Sequence, residues 1–160
     1  MSESGETAAK CPGVTIRRIM PSDVPALSLI LMDSPGASNW TAESLLSSVQ
    51  SGTGWVAELE DRVVGFLIGR GVADEFEILN LAVAQGNRRR GIAKELLKAM
   101  AAWLKAAGTK HVYLEVCASN DAAMALYVRS GFKPCGRRER YYQHPVEDAI
   151  VLSWDREGTL

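Results

Sequence analysis

The sequence predicts an α/β chain built on a mixed sheet with a parallel strand pair at its centre. Three observations carry that expectation. Strand-like and helix-like segments alternate along most of the 160 residues. The middle section reads strand–helix–strand, a crossover that joins parallel neighbours. The strand entering that unit, Phe76 to Val83, is nearly continuous in apolar character toward its end, as expected of a strand covered on both faces.

Residues 1–12 read as a polar, disordered tail ending at Pro12-Gly13, and residues 13–156 as a single domain. Val14 to Ile19 alternates apolar and polar residues, which predicts a strand. Pro21-Ser22-Asp23 supplies a turn and a cap for a helix to about Met32, which Pro35 and Gly36 break. Thr41 opens a second helix to about Gln50, ended by Ser51-Gly52-Thr53-Gly54. Trp55–Glu58 and Val63–Arg70 flank a hairpin turn at Glu60-Asp61-Arg62. A long helix runs from about Arg90 to Ala107, with Ile92, Leu96, Met100, Trp103, Leu104 and Ala107 toward the sheet, until Gly108 stops it. His111–Val116 is the next strand. Ser119-Asn120-Asp121 then caps a helix to about Ser130, where Gly131 ends it. Phe132–Tyr142 and Val146–Trp154 finish as strands joined at His144-Pro145.

Composition narrows the function. Hydrophobic content of 47% with 23% charged residues is ordinary for a globular domain, and a net charge of -1 gives no global attraction to nucleic acid or membrane. The polar start lacks the apolar core of a signal peptide, which argues against export. Cys11, Cys117 and Cys135 have no metal-ligand spacing and read as reduced thiols of a cytoplasmic protein. His111 and His144 stand too far apart to suggest a zinc site.

The most informative segment is Asn87-Arg88-Arg89-Arg90-Gly91-Ile92-Ala93-Lys94, which lies between a strand and a helix start. Such a junction gathers unpaired backbone N–H groups and the positive end of a helix dipole, and so binds phosphate. The three arginines add charge, and Gly91 and Ala93 allow close approach of the backbone. Alone, the segment reads equally as a solvated basic turn. Its company raises the phosphate reading. Ligands of open sheets sit beyond the carboxyl ends of parallel strands, where this turn, Glu115 and the start of the Asn120–Ser130 helix all fall. Asn120 and Tyr127 lie two helical turns apart on one face.

Each of these residues has a plainer role as well. Glu115 alternates with Leu114 and Val116 and could face solvent, although helices covering an interior strand would make a buried carboxylate costly. Asn120 could serve only as a cap, and Tyr127 only as core packing. Tyr113 is a second phenol on the Glu115 face. Taken jointly with the turn, the set points to chemistry.

The block from Glu75 to Tyr142 resembles the GNAT superfamily of acetyl-CoA-dependent N-acetyltransferases, in particular its RimI-like branch, which acetylates an N-terminal alanine of a ribosomal protein. Ile78–Val83 resembles the strand that pairs with pantetheine, and Arg88–Ala93 the Gln/Arg-x-x-Gly-x-Gly/Ala turn that grips pyrophosphate. Leu114–Asn120 is followed at the family spacing by Ala125-Leu126-Tyr127 and Ser130-Gly131-Phe132, and Arg137–Tyr142 leads to Glu147-Asp148-Ala149 as in that branch. Upstream the likeness thins: Asn39-Trp40-Thr41 stands where relatives carry Phe-Pro-Trp-Ser, and Val83-Ala84-Gln85-Gly86 replaces the frequent Val-Asp-Pro.

The resemblance implies the GNAT fold, a mixed and mostly antiparallel sheet with a central splayed parallel strand pair and helices on both faces. It implies acetyl-CoA as co-substrate without a metal, a protein N-terminus as acceptor, no nucleic acid or membrane partner, and a monomer or weak dimer. It assigns the general base to Glu115 and the general acid to Tyr127. Coenzyme contacts fall to Leu81, Ala82, Val83, Arg88, Arg89, Arg90, Gly91, Ile92, Ala93, Asn120 and Tyr127, and acceptor contacts to Trp40, Asn80, Glu115 and Tyr141. An acetyl-cysteine relay through Cys117 is the rival route, but no histidine adjoins it in sequence to make a thiolate. A small-molecule amine acceptor, or a non-catalytic acetyl-CoA-binding role, would use the same coenzyme site. The Tyr141-Tyr142 and Glu147-Asp148 pairs favour a peptide acceptor.

Overall fold

The computed structural model describes residues 12–34, 40–143 and 145–155. The expected tail before Pro12, the Pro35-Gly36 break, Asn39, His144 and the end of the domain at residue 156 lie outside them. The chain runs through β1 (Val14–Arg18), α1 (Val24–Met32), α2 (Ala42–Ser51), β2 (Thr53–Leu59), β3 (Arg62–Val72) and β4 (Glu75–Val83). It continues through α3 (Ile92–Ala107), β5 (His111–Cys117), α4 (Asp121–Arg129), β6 (Lys133–Gln143) and β7 (Val146–Asp155). Short 3₁₀ turns at Pro21–Asp23 and Gln85–Asn87 precede α1 and α3.

The strands form one seven-stranded sheet in the order β1-β2-β3-β4-β5-β7-β6. Every neighbouring pair is antiparallel except β4 and β5, which run parallel because α3 carries the chain back between them. The β2–β3 hairpin closes through Glu60 and Asp61, both left-handed (φ 51° and 61°), the geometry that matches strand twist in a two-residue loop.

Side-chain alternation divides the core between the two faces. Trp55, Ala57, Leu67, Phe76 and Ile78 pack with Leu96, Met100 and Leu104 of α3 and Tyr127 of α4. Val56, Phe66, Ile68 and Ala82 pack with Leu27, Ile30 and Leu31 of α1 and Leu45 and Val49 of α2. This is the mixed α/β sheet with helices on both faces that the resemblance implied.

Three expectations need correction. The long helix starts at Ile92 rather than Arg90, because Gly91 holds a left-handed conformation (φ 80°) that ends the helical run. Trp103 is 39% exposed and Ala107 exposed, while Leu97 is fully buried; the buried stripe is Ile92, Leu96, Leu97, Met100 and Leu104, and Trp103 lies on its flank. There it meets Trp55 edge-on, with the Arg18 guanidinium over both rings. Finally, β5 is interior, but helices cover only the Val112, Leu114 and Val116 side. Helices α1 and α2 sit over β2, β3 and β4, so the Glu115 face of β5 lies open as a cleft. No helix among the described residues is long and apolar enough to cross a membrane.

Candidate active site

The site begins where two strands stop pairing. β4 and β5 are in register from Glu75↔His111 to Ile78↔Leu114 and no further, although β4 continues to Val83 and β5 to Cys117. The cause is local. β4 is bulged against β3 at Leu79, because Ile78 pairs with Gly69 and Asn80 with Ile68. A bulge bends its strand and increases its twist. Gly69 is required for it: a Cβ there would lie 2.3 Å from the Phe76 ring and 2.6 Å from the Glu77 carbonyl. From Leu79 to Val83 the β5-facing edge of β4 is therefore without a strand partner, and its polar groups face a gap. In that stretch Ala82 is buried toward α1 and α2, Leu81 and Val83 lean on the α3 core, and Asn80 is half-buried.

At the carboxyl end of β4 the chain makes the basic turn. Arg89 (φ 63°) and Gly91 (φ 80°) are both left-handed, and no side chain caps the first turn of α3. The leading N–H groups of this sixteen-residue helix thus point outward with its positive dipole end. The three arginines divide their roles. Arg88 folds back, donating to the Val83 carbonyl at 3.0 Å and the Asp33 carbonyl at 2.9 Å, and so ties the turn to the end of α1. Arg89 and Arg90 are exposed. The Ile92 side chain is buried in the core, which leaves only its amide to address an anion, and Ala93 is small enough to admit one. An uncapped helix start behind a left-handed glycine, flanked by exposed guanidinium groups, fits the diphosphate of coenzyme A.

On the open face of β5, Glu115 lines a cleft of about 340 Å³ with Arg70, Glu77, Tyr113 and Arg138. Its Oε1 is ion-paired with Arg138 Nε at 2.8 Å, and the carboxylate accepts from the Tyr141 hydroxyl. The Arg138 guanidinium lies 5.3 Å from the centre of the Tyr141 ring. The hydrogen bond to Glu115, followed by burial, pushes the Tyr141 phenol above its ordinary pKa.

Tyr127 leaves α4 toward the other face. It is 8% exposed and stands edge-on to Phe132 at 5.6 Å. Burial, then the nearby Tyr142, raises its phenol pKa, so the hydroxyl keeps its proton at neutral pH. Among the described residues no hydrogen bond joins Glu115 to Tyr127, which start from opposite faces of the sheet. Tyr142 lies near both. Its own phenol is pushed up to about 12, first by burial and then by Cys117 and Glu115. Asn120 accepts from the Ala123 amide at 3.1 Å and caps α4, so its amide oxygen is in use. Trp40 is half-buried against the α1–α2 cluster. Cys117 Sγ donates to Glu147 Oε2 at 2.6 Å, and that bond, with one from Ser119, holds the Glu147 carboxyl below the usual range.

Arg138 and Tyr142 were not among the candidates drawn from sequence. Both fall in the Arg137–Tyr142 segment that carries the resemblance, but no local pattern ties Arg138 to Glu115: it sits on β6, with β7 between it and β5.

The Acetyltransferase (GNAT) family matches residues 24–132. A ribosomal protein bS18-alanine N-acetyltransferase of Salmonella typhimurium is 38% identical over 96 residues, covering 59% of this chain and 65% of that protein. The N-alpha-acetyltransferase RimI of Mycobacterium tuberculosis is 39% identical over 88 residues, 55% of this chain and 54% of that protein. The crystal structure of the ribosomal-protein-S18-alanine N-acetyltransferase from Escherichia coli superimposes with a TM-score of 0.83 at 28% identity, covering 92% of this chain and 95% of that one.

Proposed function

The chain belongs to the Acetyltransferase (GNAT) family, and from that premise we propose that it moves the acetyl group of acetyl-CoA to the N-terminal α-amine of a protein, a ribosomal protein beginning with alanine. The observation that carries this reading is the unpaired edge of β4 from Leu79 to Val83, lying between the uncapped start of α3 and the Glu115 cleft. One side of such a gap suits an extended thioester arm ending in a diphosphate, and the other suits a peptide end. The names of the relatives support the acceptor class.

Acetyl-CoA supplies the acyl group already activated as a thioester. The amides of Ile92 and Ala93, with Arg89 and Arg90, hold the diphosphate; Leu81, Ala82 and Val83 pair with the arm, and Asn120 steadies it. An α-amine titrates near pH ~8, so much of it arrives protonated. Glu115 takes that proton and frees the lone pair for attack. A backbone N–H from Leu81 to Val83 donates to the carbonyl oxygen as it gains charge, a contribution of roughly 3 kcal/mol in comparable sites. As the C–S bond breaks, Tyr127, kept protonated by burial, gives its proton to the departing sulfur, and the second proton shed by the new amide nitrogen restores the phenol by way of solvent. Trp40, Asn80 and Tyr141 border the acceptor. Cys117 takes no part, since its thiol is turned to Glu147.

The test is incubation of the protein with acetyl-CoA and a peptide bearing an alanine-starting ribosomal N-terminus, against a panel of polyamines, amino acids and aminoglycosides. Mass spectrometry should find one acetyl group on the peptide α-amine. Acetylation confined to the small amines would overturn the acceptor assignment.

A further inference from the structure

We infer that Arg138 is a positioning residue for the proposed reaction: its guanidinium holds the Glu115 carboxylate in one orientation at the wall of the cleft. This rests on the reading of Glu115 as the base. The geometry is specific. Arg138 Nε reaches Glu115 Oε1 at 2.8 Å across the intervening strand β7, where Glu115 is opposite Val151 and Val151 opposite Gly136. Gly136 projects no side chain over that path. The strand then bulges between Arg138 and Tyr142, with Arg140 left-handed (φ 52°), and this brings Tyr141 back over Arg138 and onto the same carboxylate. A guanidinium and a phenol, both carried on β6, thus meet on one carboxylate of β5.

The pair is unlike an ordinary surface ion pair. The Glu115 side chain is only 16% exposed, whereas that of Arg138 is 58% exposed on an edge strand. The contact therefore contributes little to holding β6. What it does fix is the direction of a half-buried carboxylate that lines the cleft. Other charged or titratable groups around Glu115 are Arg70 on β3, Glu75 and Glu77 on β4, Tyr113 and Cys117 on β5, Tyr141 and Tyr142 on β6, and Glu147 on β7. Arg70 is already engaged with Glu77 at 2.9 Å, so Arg138 is the cation in contact with Glu115.

The experiment compares wild type, Arg138→Gln, Arg138→Lys, Glu115→Gln and the double variant Arg138→Gln/Glu115→Gln, using acetyl-CoA and the alanine-starting peptide. Arg138→Gln should lower kcat by about 10- to 100-fold, with KM for the peptide nearly unchanged. Arg138→Lys, which keeps the charge but not the planar guanidinium, should restore only part of kcat. In the Glu115→Gln background the Arg138 change should add nothing, as expected of a residue acting through another. Unfolding temperatures within a degree or two of wild type would show an intact fold. If Glu115→Gln is inactive while Arg138→Gln keeps the wild-type rate, or if the two losses multiply, the positioning role is overturned and the base assignment stands. If Glu115→Gln works at wild-type rate, the base assignment fails and the inference falls with it.

Discussion

Helix α3 carries its own control experiment. Gly91 before its first residue and Gly108 after its last adopt almost the same left-handed conformation, φ 80°, ψ 10° and φ 78°, ψ 15°. Alanine at either position meets the same backbone strain, about 1–2 kcal/mol. At Gly108 an added Cβ finds nothing within 4 Å, so strain is the whole effect. Both Gly91→Ala and Gly108→Ala should therefore lower the unfolding temperature by similar amounts, about 2–8 °C for a chain of this size. Only Gly91→Ala should also weaken coenzyme A. A methyl group there pushes a diphosphate away from the first-turn amides, and loss of one such charge-assisted hydrogen bond, about 1.5–3 kcal/mol, is about a 10- to 100-fold loss of affinity. Scanning calorimetry reads the first quantity and titration calorimetry with coenzyme A the second. If Gly91→Ala binds coenzyme A as tightly as Gly108→Ala does, the basic turn is not the diphosphate site, and the placement of the coenzyme fails with it.

Three further outcomes are expected. Tyr127→Phe keeps the edge-on packing against Phe132 and removes only the hydroxyl, so turnover should fall by about 10²-fold while coenzyme affinity measured by calorimetry stays the same; unchanged turnover would remove Tyr127 as the acid. Cys117→Ser should stay within about twofold of the wild-type rate and keep intersecting double-reciprocal plots, whereas parallel plots in the wild type and loss of turnover in the variant would establish a relay through the thiol. Asp23 is buried and accepts from Arg17 at 2.7 and 2.9 Å and from the Met20 amide, while Arg17 also binds Glu58. The Arg17 hydrogen bond holds the Asp23 carboxyl below its ordinary range. Its stabilisation is thus fully present above the unfolded carboxylate pKa of about 4 and is lost as pH falls through the lower folded value. Asp23→Asn should cost about 2 kcal/mol near neutral pH, and urea denaturation of the variant should show a flatter acid branch; a branch as steep as wild type would assign the acid sensitivity elsewhere.

What the sequence disclosed and what it withheld separate along a physical line. Apolar periodicity, caps and breakers act between residues a few positions apart, and they located each strand and helix, the crossover through α3 and the parallel pair it makes. The Arg88–Ala93 turn was legible for the same reason, because a strand end, a glycine and a helix start are consecutive. Relations across the sheet were not legible. The insertion of β7 between β5 and β6 follows no local pattern, and the contact of Arg138 with Glu115 exists only through that order. The expectation that helices cover the interior strand at Glu115 failed likewise: alternation along the strand tells which residues share a side, not whether a helix lies over that side. The separation of Glu115 and Tyr127 onto opposite faces is a consequence of the same kind. Helical spacing put Asn120 and Tyr127 on one side of α4, but it carried no information on which side of the sheet α4 lies relative to Glu115.

That separation bears on how such a site can work. A base and an acid on one face would compete for one proton path. Here the sheet itself stands between them, open only beyond Ile78 and Leu114, where β4 and β5 cease to pair. A thioester reaching that opening from the Tyr127 side would meet an amine arriving from the Glu115 side without either residue having to move. Several backbone hydrogen bonds, each worth about 0.5–1.5 kcal/mol, are forgone along the unpaired edge to keep the opening. The bulge at Leu79, which depends on Gly69 lying flat against Phe76, is the feature that enforces the loss. A sheet of the same strands without that bulge could pair further along β5 and would be more regular, but it would have no passage between its two faces.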